Sequence, residues 1–215
     1  MNGLNFSHAV LPHAALLPLW VKLSWALVVS AVVLRWTYRF KPTVWPAAVV
    51  AVILLLPRTD VLSGYLALAF QTPSLVLVAW ALWCWTDVLQ LREPVSTTPT
   101  SVAGVGVLLG WALVLDTLNY WPTWFNPQLY ALGFESAGLW WVLVWMAAVL
   151  LCEQVPKRWV LSAVVVLTVY VWLRLPSGNV WDALLDPFVW LALHVQLWRV
   201  CRAGRTGRSS RQAVT

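Results

Sequence analysis

Charged side chains are scarce in this chain: eight Asp and Glu and 14 Lys and Arg among 215 residues, 10% in all. A water-soluble domain of this size needs far more polar surface, so an aqueous globular fold is not expected. Cysteine is limited to Cys84, Cys152 and Cys201. All three fall near the expected cytoplasmic ends of helices, which predicts free thiols and no disulfide. The three histidines, His8, His13 and His194, would form a metal site only if the N-terminal segment folded back on the last helix. Nucleotide-binding motifs and paired helical histidines for haem are lacking too, so neither a metal nor a cofactor is expected.

What is abundant is apolar. The hydrophobic fraction is 61%, and residues 42 to 200 read as almost continuous apolar sequence broken by short polar segments. That pattern predicts an all-α fold, a polytopic transmembrane helical bundle of about seven spans forming one domain over 1–200. Residues 201–215 are expected to be a disordered, basic cytoplasmic tail. The stretch from Met1 to Leu17 lacks a positive n-region and a small-residue cleavage site, so the N-terminus is expected to be retained.

The spans can be placed from the breaks. The first runs about Leu19 to Trp36, and the second is short, Thr43 to Leu56, between Pro42 and Pro57. Gln71, Thr72 and Pro73 interrupt the next apolar run. Thr72 is the expected N-cap and Pro73 the first helical residue of a third span, Pro73 to Leu91. This leaves residues 61–70 as a short helix at the outer interface and makes Gln71-Thr72-Pro73 a discontinuous-helix break. A fourth span covers Val102 to Leu118, followed by an interfacial segment at 119–135 rich in Trp, Tyr, Phe and Pro. The fifth and sixth spans are Ser136 to Cys152 and Trp159 to Leu173, with a seventh within Val180 to Trp198.

Lys and Arg then fall unevenly. Arg35, Arg39, Lys41, Arg92, Lys157, Arg158 and the five tail arginines lie on one side, whereas Lys22, Arg58 and Arg174 lie on the other. Cytoplasmic loops carry the excess, so the N-terminus is expected outside and the C-terminus inside. The net charge of +6 is concentrated in the tail, where it suits anionic lipid and not nucleic acid. Most of the 18 tryptophans cluster toward span ends as an aromatic belt. Trp80, Trp111, Trp145 and Trp190 lie deeper.

Polar groups within lipid are costly and therefore informative. Asp116, Asp182, Asp186 and His194 are the candidate acid/base residues. On one unbroken helix Asp182, Asp186 and His194 would share a face, with Asp116 and His194 the favoured functional pair. The competing reading makes Asp186-Pro187 a helix start, with the carboxylate as N-cap. Gly104, Gly106 and Gly110 form a small-residue face for close helix packing, within the bundle or between subunits.

Three family motifs have partial echoes in this chain, and each is incomplete. Pro176-Ser177-Gly178 opens like a membrane-phosphatase motif, but Asn179 stands where that motif requires His. Ser63-Gly64 lacks the preceding glycine of a rhomboid protease. The tryptophan-rich sensory proteins have five helices and motifs that do not align with this chain.

The leading functional expectation is a non-catalytic accessory or scaffold subunit of a bacterial inner-membrane assembly in envelope or lipid metabolism, in contact with the bilayer and with a membrane-protein partner or a second copy. The alternatives are a small carrier or binder of a hydrophobic or cationic solute, and an intramembrane enzyme acting on a lipid-linked substrate at the outer leaflet.

Overall fold

The computed structural model describes residues 11–38, 40, 43–57, 60–90, 99–122, 127–152 and 155–212. Among them every regular element is a helix: α1 Leu16–Tyr38, α2 Trp45–Leu55, α3 Asp60–Phe70, α4 Leu75–Leu89, α5 Thr100–Thr117, α6 Leu129–Leu132, α7 Ser136–Cys152, α8 Lys157–Leu173, α9 Val180–Leu184 and α10 Pro187–Gln212. Proline marks the starts, since a residue without an N–H costs nothing in or before the first turn. Pro46 lies in the first turn of α2, Pro99 and Pro156 immediately precede α5 and α8, and Pro187 opens α10.

Among the described residues two helices, α1 and α5, are long and apolar enough to cross a membrane. A third span results if α2 and α3 are counted together, although their axes differ by 97°. At 1.5 Å per residue, α2 alone is about 16 Å long, roughly half a hydrocarbon core. The third expected span starts later than the sequence suggested. Gln71 has φ 64°, Pro73 is buried, and the N-cap of α4 is Ser74, not Thr72. The Ser74 hydroxyl accepts from Leu77 N at 3.0 Å, a bond that Thr72 is too far upstream to make.

Side-chain pairs fix how the helices lie. Val28 and Ala31 of α1 share a core cluster with Leu77, Val78, Ala81 and Cys84 of α4, and the Trp85 indole donates to Ser30 Oγ at 3.1 Å. Helices α4 and α8 run antiparallel, because Asp87 meets Arg158 while Trp83, one turn earlier, meets Ser162, one turn later. Antiparallel too are α5 and α10: a Cβ on Gly110 would lie 2.2 Å from Trp190 Nε1, and one on Gly106 would lie 2.5 Å from Leu193 Cδ1. Gly104 has no neighbour within 4 Å and does not belong to this seam. Two residues from Gly106 is about 200° around the helix, so the glycine triplet cannot present one face.

The larger core cluster occupies the end of the bundle where α5 and α8 finish and α4 and α10 begin. It includes Leu75, Leu113, Val166, Leu167, Tyr170, Val180 and Trp181. Helix α7 contributes little: Gly138 and Val142 are its buried residues, while Trp140, Trp141, Val144 and Leu151 are exposed. Between α7 and α8 runs an open apolar groove of about 250 Å³, lined by Leu139, Leu143, Leu167, Thr168, Val171 and Trp172.

The last helix starts as the capping reading of Asp186-Pro187 expects, and it runs further than expected at its other end. It begins at Pro187, separated from α9 by Leu185 and Asp186, so Asp182 and His194 lie on different helices and share no face. It also continues to Gln212, so the backbone is helical where a disordered tail was expected. Arg39, Lys41, Arg58 and Arg92 lie outside the described residues, as does the side chain of Cys152.

Candidate functional site

The richest concentration of polar contacts is at the core end, where the segment between α8 and α10 folds over α6. Helix α8 stops at Arg174, in left-handed conformation with φ 54°. Gly178 allows the next reversal with φ 86°. Tyr170, fully buried, donates from its hydroxyl to the Gly178 carbonyl at 2.8 Å, with the Gly133 carbonyl at 3.3 Å. Arg174 Nη1 donates back to that hydroxyl at 3.2 Å, with the guanidinium 5.2 Å from the ring centre.

Asn179 is the pivot. Its Oδ1 accepts from Trp181 N at 2.9 Å, which caps α9, and its Nδ2 donates to the Tyr130 carbonyl at 2.9 Å. The Trp181 indole donates to the Leu129 carbonyl at 2.7 Å, and Val180 N to the Gly133 carbonyl at 2.9 Å. The carbonyls of Leu129, Tyr130 and Gly133, in and just after α6, thereby each gain a donor from the α8–α9 segment. The fit leaves no space at Gly133, where a Cβ would stand 1.9 Å from Asn179 Oδ1.

Asp116 and Asp182 enter the same network through Tyr130. Asp116 Oδ2 accepts from Tyr130 N at 2.8 Å. Asp182 Oδ2 accepts from the Tyr130 hydroxyl at 2.9 Å and from Ser177 Oγ at 2.5 Å. Burial and, secondarily, the neighbouring Asp182 charge push the Tyr130 phenol well above its ordinary range, so it is held as the neutral donor.

Asp186 is 6% exposed and joins two helix starts. Its Oδ1 accepts from Phe188 N at 2.9 Å and Val189 N at 2.8 Å, capping α10. Its Oδ2 accepts from Ser74 N at 2.9 Å, immediately before α4. Two helix N-termini, each carrying partial positive charge, converge on one carboxylate. Among the described residues the ion pairs are Lys22–Asp60 and Arg158–Asp87, so Asp116, Asp182 and Asp186 are stabilised by N–H and O–H donors without a cation.

His194 stands apart from these acids. Its Nε2 accepts from the Trp111 indole at 3.2 Å, which leaves Nδ1 to donate to the Trp190 carbonyl at 2.9 Å. The three rings pack edge to face across the α5–α10 seam. Asp116 and His194, favoured as a pair from the sequence, have no partner in common.

The sequence reading overlooked Asp87, which is buried and bonded to Arg158 Nη1, itself 5.2 Å from the centre of the Trp83 ring. A lone acid five residues before Arg92, inside an apolar run, was the available signal. Tyr130, Tyr170 and Asn179 were overlooked as well, and nothing in their local sequence identifies them. Among the described residues no group of three or more His, Cys, Asp or Glu is arranged to hold a metal ion. Comparisons with protein-family models, curated proteins and solved structures find no match for this chain.

Proposed function

We propose that this is a multi-pass protein of the bacterial inner membrane, acting as a non-catalytic accessory or scaffold subunit in envelope or lipid metabolism. The observation that carries the reading is the engagement of every candidate acid/base group: Asp116, Asp182, Asp186 and His194 are all held in hydrogen bonds within the fold. General acid/base catalysis needs a group within reach of substrate and free to exchange its proton. Capping and bridging need only a fixed acceptor. Exposed apolar side chains on α5, α7 and α8, among them Leu108, Trp141, Leu151 and Trp172, favour contact with lipid or with another membrane protein. The charge distribution favours an external N-terminus and an internal C-terminus, with the shorter helices α4, α7 and α8 completing the crossings.

Mild-detergent extraction followed by mass spectrometry tests this reading. A membrane protein recovered in fixed stoichiometry is the expected result, with recovery unaffected by Asp182→Asn or His194→Gln. Recovery of a lone protein, together with loss of cellular function in a folded Asp182→Asn variant, would replace the scaffold with the enzyme. The bent α2–α3 pair favours a second reading, a carrier of a hydrophobic or cationic solute, since broken helices line transporter sites. Saturable uptake of such a solute by proteoliposomes would decide for it.

A further inference from the structure

The open groove between α7 and α8 is lined by Leu139 and Leu143 from the first turns of α7 and by Leu167, Thr168, Val171 and Trp172 from the last turns of α8. Thr168, the one hydroxyl among them, donates to the Val164 carbonyl of its own helix at 2.8 Å, so the middle of the groove suits apolar groups only. At about 250 Å³ it is smaller than the roughly 300–1,000 Å³ of sites that enclose a whole small molecule. It fits part of a ligand, a single flexible chain.

A cation stands at the end of this groove. Arg174 follows Leu167 by seven residues, two turns along the same face of α8 and one turn beyond Val171. Its guanidinium donates to the Tyr170 hydroxyl at 3.2 Å, and that hydroxyl lies 3.3 Å from the Gly133 carbonyl. Gly133 Cα in turn is 3.0 Å from where a Cβ would stand on Gly138, in the first turn of α7. These contacts put the guanidinium where α7 starts and α8 stops. Arg174 is half-buried, and among the described residues it makes no ion pair. Asp182, the acid of the same network, accepts from Tyr130 and Ser177 instead. Of the five N–H donors of a guanidinium, Tyr170 takes one, which leaves a fork suited to an anion with several oxygens. Charge near lipid without a counter-charge is costly, and phosphate is the anion that the membrane boundary supplies.

The geometry points to a bound phospholipid, its phosphate accepting from Arg174 while one acyl chain lies in the groove between α7 and α8. A helix of a partner protein or a diacylglycerol would fill the groove but leave Arg174 without an anion; a phospholipid supplies both parts. The inference rests on the membrane-embedded reading given above. It is tested with the full chain in nanodiscs of phosphatidylethanolamine and phosphatidylglycerol that contain a trace of one of two probes. One is phosphatidylglycerol with a photoreactive diazirine in an acyl chain; the other is diacylglycerol with the same chain. Labelled residues are mapped by mass spectrometry, with Leu108 of α5, 70% exposed, as the reference for unspecific lipid contact. The expected result is several-fold more label at Leu143 and Val171 than at Leu108 from the phospholipid probe, and no such excess from diacylglycerol. Arg174→Gln is expected to abolish the excess and Arg174→Lys to retain most of it. The same excess from both probes, or an excess that persists in folded Arg174→Gln, would overturn the site. So would label below that of Leu108 from both probes, the result if a partner helix or a second copy fills the groove. If Arg174→Gln does not fold, the comparison of the two probes on the unmodified chain decides. Failure of the chain to enter discs would instead overturn the membrane reading, and the site with it.

Discussion

Among the described residues, one end of the bundle has a buried carboxylate, Asp87, held by a guanidinium from the neighbouring helix, while at the other end three carboxylates are held by N–H and O–H donors with no ion pair. The first arrangement joins two straight helices, α4 and α8, one side chain to one side chain. The second joins six chain segments, and most of its donors are backbone N–H groups fixed by turns and helix starts. An ion pair is a local clip whose loss leaves one buried charge behind. A shared carboxylate such as Asp186 is a junction, and its loss frees two helix ends together.

The largest effect is expected at the clip. Arg158→Ala leaves Asp87 buried beside Trp83 without its partner and is expected to cost up to about 3–5 kcal/mol in unfolding measurements, most of it recovered in the double variant with Asp87→Asn. A loss below about 1 kcal/mol, less than that expected at the junction, would reverse the order of the two ends. At the junction, Asp186→Ala removes the cap of α10, about 0.5–2 kcal/mol, and strands the Ser74 N–H, roughly 1–3 kcal/mol more. Asp186→Asn keeps one acceptor oxygen for two helix starts and is expected to fall between. An Asn variant as stable as the parent would show that only one of the two starts depends on Asp186. At the seam between the ends the glycines test packing: Gly110→Ala forces Trp190 to move and is expected to cost about 1–3 kcal/mol, whereas Gly104→Ala, facing open space, is neutral or slightly stabilising. Equal thermal shifts for the two would remove the distinction between them.

The smallest effect concerns Tyr130→Phe, which deletes one hydrogen bond to Asp182 for about 1 kcal/mol. Because the folded state holds the phenol proton more tightly than the unfolded state does, this contribution is complete below the unfolded value near pH 10 and is lost as pH rises beyond it. A phenolate absorbance titration compared between the parent chain and Tyr130→Phe checks the direction. A Tyr130 that ionises with the exposed tyrosines would contradict it.

Helix positions were largely legible because they depend on apolar runs and punctuation. The stretches expected at 102–118, 136–152 and 159–173 correspond to α5, α7 and α8 within two residues. The start of α4 was misplaced because Thr72, Ser74 and Pro73 all carry start signals, and only the position of Leu77 N selects among them. Partners across the fold were not legible. Tyr130 meets Asp182 52 residues away and Asp87 meets Arg158 71 residues away, separations at which no periodicity links two side chains. Asn179 was noted only as a departure from a phosphatase motif, although its amide holds the centre of the network.

The bond from Ser74 to Asp186 spans 112 residues of chain. At a synthesis rate of roughly 5–20 residues per second, the ribosome needs on the order of 5 to 20 seconds to deliver the second residue after the first. During that interval α4 has its Ser74 cap but not the acid that ties its start to α10, and Tyr130 waits for Asn179 and Asp182 in the same way. The start of an early helix is therefore among the last points to be fastened, and any factor that attends the growing chain would find it open until the final helix begins.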